Sequence, residues 1–247
     1  MPDDPLATLI WNQPPPPGRR GSLDRDTIVR AAIELADEGG AAAVTMSGVA
    51  GRLGSYTPMA LYRYVVGKDG LVDLMLDAVT AEIDLPDAPS RDWRQDLRGL
   101  AERTWQVIRA HPWYAQLFHT RPPAGPNVMR RTEFALAVLT AAGVPVAQAL
   151  GYASLVDRYV FGEGIQVAEE ERMRARYGLD DAAAFLAAVA GMRELADAGG
   201  RYPLLASWLA APEAASADEQ FGLGLECLLD GIAARLPSRG GVPHTTP

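Results

Sequence analysis

The sequence predicts an all-α fold, and three observations predict it. Apolar residues return every three to four positions in segment after segment, and no stretch keeps the period-two alternation of a strand. Capping residues, prolines and glycines stand at the starts and stops of those segments. The 247 residues, 48% hydrophobic and 22% charged, have the composition of an ordinary globular chain, long enough for one small and one larger domain.

Residues 1–22 read as a disordered arm, because Pro14 to Pro17 is a polyproline stretch followed by Gly18-Arg19-Arg20-Gly21-Ser22. Over 24–38, Ile28, Ala32, Leu35 and Ala36 keep helical spacing, and Gly39-Gly40 stops the segment. Thr45 can cap a second helix of about two turns, running to Leu53 before Gly54 halts it. Thr57 offers another cap, and Pro58 sits where a first helical turn tolerates proline, opening a third helix through Met59-Ala60-Leu61-Tyr62-Arg63-Tyr64. Two short helices joined by a glycine-containing turn make a helix-turn-helix.

A fourth helix over 68–83 carries Leu71, Leu74, Met75, Ala78 and Val79 on one face. Asp84-Leu85-Pro86-Asp87-Ala88-Pro89 breaks it and sets the boundary between a 23–84 head and a 90–236 body. In the body, helices are expected over 93–110, 126–142, 146–176, 182–198 and 218–236, with 237–247 as a disordered tail.

Charge and composition narrow the function classes. Net charge is −8, but residues 18–68 are +2 and the rest −10, so a mildly basic head rides on an acidic body. The one cysteine, Cys227, allows no intrachain disulfide and no thiolate-built metal site. The acidic, proline-broken start is wrong for a secretory signal, and no apolar run is long enough to cross a bilayer. A cytoplasmic location is expected, with no membrane partner. Of the three histidines, His244 lies in the tail, and no nucleophile, paired-carboxylate or phosphate-loop pattern surrounds His111 or His119. Glu169-Glu170-Glu171 reads as a solvated helix face. No catalytic residue, metal site or cofactor is expected; an enzyme and a helical binding protein without DNA are the rival readings.

The run from Thr45 to Leu53, then Thr57 to Val65, then Gly67-Lys68-Asp69-Gly70-Leu71 resembles the DNA-binding head of the tetracycline-repressor (TetR) family. The resemblance implies a ligand-responsive regulator, most simply a repressor, that binds palindromic double-stranded operator DNA as a homodimer and is released by a small-molecule effector. It implies that Tyr62 and Lys68 meet phosphate, with Thr45, Ser47 and Thr57 at or near cap positions beside the backbone. Met59, Ala60 and Arg63, following Pro58, would face base edges, where Arg63 can fork onto guanine and Ala60 can abut a thymine methyl. Tyr64 packs its ring and reaches out with its hydroxyl. Arg19 and Arg20 are solubilising residues or a minor-groove arm. Here two residues, Ser55 and Tyr56, separate Gly54 from Thr57, so the turn is one residue longer than the family's.

The body resembles the family's regulatory domain through His119-Thr120-Arg121-Pro122, which matches a Thr-Arg-Pro segment of the tetracycline repressors' drug pocket. Leu117 stands where those repressors place a magnesium-binding histidine, which argues against a metal-chelated tetracycline as effector. An effector pocket is expected from Trp105, Trp113, Phe118, His119, Thr120, Arg121, Phe134, Tyr152 and Tyr159, aromatic walls with a few convergent polar groups. A dimerisation stripe is expected from Phe221, Leu225, Leu228, Leu229 and Ile232, which recur at helical spacing.

Overall fold

In a computed structural model that describes residues 9–14, 23–54, 56–122, 124–210 and 216–236, every regular element is helical. The head consists of α1 (Arg25–Gly39), α2 (Met46–Leu53), α3 (Pro58–Val65) and α4 (Lys68–Thr80). The body follows as α5 (Trp93–Ala110), α6 (Pro112–Phe118), α7 (Pro126–Ala141), α8 (Val146–Tyr177), α9 (Ala182–Asp197), α10 (Pro203–Leu209) and α11 (Ala217–Ala233).

Short side-chain caps start the head helices. The Asp24 carboxylate accepts from the Thr27 amide at 2.8 Å, the Thr45 hydroxyl from Gly48 at 2.9 Å and the Thr57 hydroxyl from Ala60 at 3.4 Å. Ile28, Ala32, Val49, Leu61, Val65, Leu71 and Met75 close a core between the four helices. Val66 ends α3 in the left-handed region at φ 56°, and Gly67 at φ 114° turns the chain into α4. A side chain on Gly70 would collide with the Val65 carbonyl, so the close approach of α4 to the end of α3 requires glycine there.

Helix α4 belongs to both halves. Leu71, Met75 and Val79 are buried in the core, while Asp73, Asp77 and Thr80 are polar groups buried on the same helix. Buried polar groups need partners; here the body supplies them, and α4 is thereby its seam with the head.

The body core is built on α5, α7 and α8. Trp105 of α5 stacks on Phe221 of α11 with centroids 4.6 Å apart, and Tyr159 of α8 stacks on the same ring at 5.7 Å. Arg94 and Arg98 of α5 both bond Glu226 of α11 at 2.6 Å. These contacts correct the expected dimerisation stripe. Phe221, Leu225, Leu229 and Ile232 are at most 3% exposed within a single protomer, and Leu228 is half-buried. An apolar stripe needs a covering surface, and α5 and α8 of the same chain provide it.

The N-terminal arm also differs from expectation. Ile10–Asn12 forms a 3-10 turn with Ile10 buried against the start of α4, and Arg25 donates to the Gln13 carbonyl at 2.6 Å. Leu9-Ile10-Trp11 is an apolar island in a polar tail, long enough to fill a surface groove. Residues 15–22, with Arg19 and Arg20, and the tail 237–247 lie outside the described residues.

Helices α6 and α10 were not expected. Each has seven residues, too few for periodicity to register, and only the first-turn prolines Pro112 and Pro203 announce them.

Candidate nucleic-acid interface and effector site

The two capped helices α2 and α3 present one outward face. Thr45, Ser47, Thr57, Met59, Tyr62, Arg63 and Lys68 are exposed, and Pro58 and Ala60 are half-buried between them. Met59, 73% exposed at the start of α3, is an apolar side chain held out in solvent. Tyr64 turns inward and packs against the core, while its backbone carbonyl accepts from Arg25 at 2.7 Å. It lies off the exposed face, because α3 turns it toward α1.

Two cations of the head are engaged within the fold. Arg52 is taken up by Glu34 and Glu38, and Arg25 by backbone carbonyls. Arg63 and Lys68 form no ion pair among the described residues and remain on the outward face. Lys68 begins α4, whose N-terminal amides have no side-chain cap, so its ammonium and those amides meet at one place, as phosphate binding requires.

On its other side α4 is held by the segment joining α6 to α7. Arg121 clasps Asp73 through two hydrogen bonds of 2.7 and 3.0 Å and reaches Asp69 at 3.2 Å. Those bonds to Asp73 raise the guanidinium's pKa further above its already high value. Asp77 accepts from the Asn127 and Val128 amides at 2.8 and 3.1 Å and from the Asn127 side chain at 2.7 Å, capping α7 from another helix. Trp11, Phe118, Arg121 and Pro122 border a crevice beside Asp73 of about 20 Å³, room for a single water. Thr120 donates to the Leu117 carbonyl at 2.7 Å. Arg121 therefore serves the joint with α4, while Thr120 closes the end of α6.

A second contact joins head and body at His111. Its Nδ1 lies 2.8 Å from Asp37 of α1 and its Nε2 3.1 Å from Glu82 just beyond α4. Two carboxylates can both accept only if both ring nitrogens carry protons, so the geometry selects the imidazolium. Burial pushes the His111 pKa down, but the bonds to Asp37 and Glu82 outweigh it and the net shift is upward. Trp113 donates to the same Asp37 at 2.7 Å.

The remaining expected effector residues separate into groups. Trp105 donates to Asp218 at 2.8 Å and Tyr159 to the Phe221 carbonyl at 2.8 Å, so both pin helices together. Trp113 seals the seam between head and body, and Phe134 is a core residue. Tyr152 is half-buried, near the Gln148 amide at 3.3 Å. Trp105, Trp113 and Phe134 thus fill the interior, while Tyr152 and Tyr159 are half-buried.

Phe118 and His119 differ. Phe118 stacks on Phe161 at 4.4 Å, and His119 meets the edge of the same ring at 5.0 Å. Tyr114 packs on both phenylalanines and shares a 2.8 Å hydrogen bond with Thr80 of α4. The Thr80 hydroxyl already donates to the Leu76 carbonyl, so Tyr114 is the donor. Burial pushes the Tyr114 phenol up to about 12, which keeps that proton in place. An open recess lined by His119, Ser154, Asp157 and Arg158 adjoins this cluster. Ser154 and Asp157 were not among the expected residues, because only packing brings α6 and α8 together.

No group of three or more His, Cys, Asp or Glu side chains suited to a metal ion occurs among the described residues, and no helix there is long and apolar enough to cross a membrane. Residues 85–236 match the Tetracyclin repressor-like, C-terminal domain family. The chain is 35% identical to the HTH-type transcriptional repressor DrrR1 of Streptomyces coeruleorubidus over 94% of its own length and 86% of that protein's. It is 28% identical to the Tetracycline repressor protein class A from transposon 1721 of Escherichia coli, over 86% and 92% respectively. Among solved structures it is similar to the Streptomyces coelicolor TetR family protein ActR in complex with actinorhodin. The TM-score is 0.74 and the identity 25%, over 89% of this chain and 100% of that one.

Proposed function

The chain belongs to the TetR family of ligand-responsive transcriptional repressors, and we propose that it holds a palindromic operator through α3 and Lys68 and releases it when a small aromatic effector enters at Phe118 and His119. One observation carries the reading: α4 carries the exposed Lys68 at its first residue and is clasped by Arg121 and capped onto α7 through Asp77 further along. Movement of the α6–α7 segment therefore tilts the helix that positions Lys68 and packs against α3.

In this reading two heads of a homodimer enter successive major grooves about 34–36 Å apart. Tyr62 and Lys68 anchor to phosphate, and Met59, Ala60 and Arg63 reach base edges. The protomers pair through apolar groups that α8 and α11 leave uncovered, such as Leu155 and Leu223, rather than through the buried Phe221 stripe. Effector binding and operator binding oppose one another with a coupling of about 1–3 kcal/mol, typical of allosteric pairs. Work on DNA places the protein in the cytoplasm, and with relatives named as regulators we assign it no catalysis.

The test is selection of bound fragments from genomic DNA by the purified full-length protein. Recovery of one palindromic site supports the reading; fragments recovered without sequence preference, even at low salt, remove it.

A further inference from the structure

Arg131 of α7 is the most deeply buried charge among the described residues, 3% exposed. Its Nη2 donates to Asp157 at 2.7 Å and to the Thr104 hydroxyl at 3.2 Å, and its Nη1 to Asp157 at 3.1 Å. Its Nε has no hydrogen-bond partner. A guanidinium removed from water with one donor unmet is costly, and a core that needed only filling would use an apolar side chain. The guanidinium lies over Phe118 at 6.0 Å and over Phe161 at 5.8 Å, the stacked pair beside the recess.

Asp157 differs from its partner. Its side chain is 25% exposed, and it lines the recess with His119, Ser154 and Arg158. On leaving Arg131 it would return to water beside the exposed Arg158, so exchanging it for another anion leaves no charge buried alone. The recess thus offers two basic side chains, His119 and Arg158, and a hydroxyl, and through Asp157 it adjoins the buried Arg131 and the stacked phenylalanines behind it.

We propose that Asp157 is a placeholder and that the effector is an aromatic acid, its ring taking a place on Phe161 and its carboxylate or equally acidic group displacing Asp157 from Arg131. This rests on the reading that the body binds a small aromatic effector. Because Phe118 occupies that face of Phe161, the effector ring has to displace it, and Phe118 adjoins Tyr114, whose hydrogen bond to Thr80 passes the change to α4.

The experiment titrates full-length protein with 2-naphthoate and with 2-naphthamide, nearly the same shape without the charge, by isothermal calorimetry. Wild type should bind the acid about tenfold more tightly than the amide. Asp157→Asn, which removes the competing carboxylate, should tighten the acid several-fold and leave the amide unchanged; Arg131→Met should abolish the preference. If Arg131→Met does not fold, Asp157→Asn decides alone. Equal binding of the two probes, with Asp157→Asn leaving their ratio unchanged, overturns the proposal while leaving an aromatic effector in place. Binding of neither probe by protein that still holds its operator overturns both.

Discussion

The proposed DNA face and the proposed effector site are built on opposite principles. Helices α2 and α3 of the face are each started by a threonine hydroxyl a few residues before the side chains they position, and those side chains point outward. The effector site joins α4, α6, α7 and α8 through groups far apart in sequence, such as Asp73 with Arg121 and Arg131 with Asp157. Mutations on the face should change DNA binding with little effect on folding; mutations in the joint should change both.

The largest expected effect breaks the joint. Arg121→Ala leaves Asp73, 8% exposed, without its counter-ion, and uncovering a buried charge costs about 3 kcal/mol or more. Thermal unfolding should show that loss, and the surviving folded protein should bind operator with a weakened response to effector. An unchanged midpoint and full effector response would place the coupling elsewhere.

The next tests the face. Arg63→Ala should cost about 1–3 kcal/mol, confined to particular base pairs, in binding to a panel of operator variants, with folding unaltered. Loss spread evenly over all sequences would move Arg63 from base reading to phosphate contact.

Thr57→Ala sharpens the comparison from the side of local structure. Loss of the α3 cap should cost about 1 kcal/mol of stability in denaturant unfolding, with a modest loss of operator affinity because the start of α3 frays.

The smallest effect depends on pH. Since the His111 pKa is raised in the folded protein, its contribution is complete below the unfolded value of about 6.5 and is lost as pH rises through the folded value. The stability advantage of wild type over His111→Gln should therefore shrink as pH rises above about 6.5. An advantage that grows over that range would contradict the imidazolium assignment.

The same contrast explains what the sequence discloses. Helices α2 and α3 begin and end where the caps at Thr45 and Thr57, the proline at Pro58 and the glycine at Gly54 say they should, because those signals act over three or four residues. The nine expected effector residues share composition, but composition does not say which rings find partners. Trp105 is satisfied by Asp218 and Trp113 by Asp37, 113 and 76 residues away. The Phe221 stripe shows the same limit: helical spacing announces a buried face without saying whether the cover is the same chain or a second copy. Asp157 was invisible because it lies on a helix whose relation to α7 only the packed core reveals. Ile10 was hidden by its proline-rich surroundings, although Leu9-Ile10-Trp11 was the signal available.

The central claim is that α3 lies in the major groove with Lys68 on phosphate, and the salt dependence of operator binding tests it most directly. Each phosphate contact contributes about 0.9 to the slope of log affinity against log salt, so Lys68→Ala in both protomers should reduce the slope by about 2 while leaving base preferences intact. A slope equal to that of wild type would remove Lys68 from the DNA interface, and with it the placement of α4 on which the coupling depends.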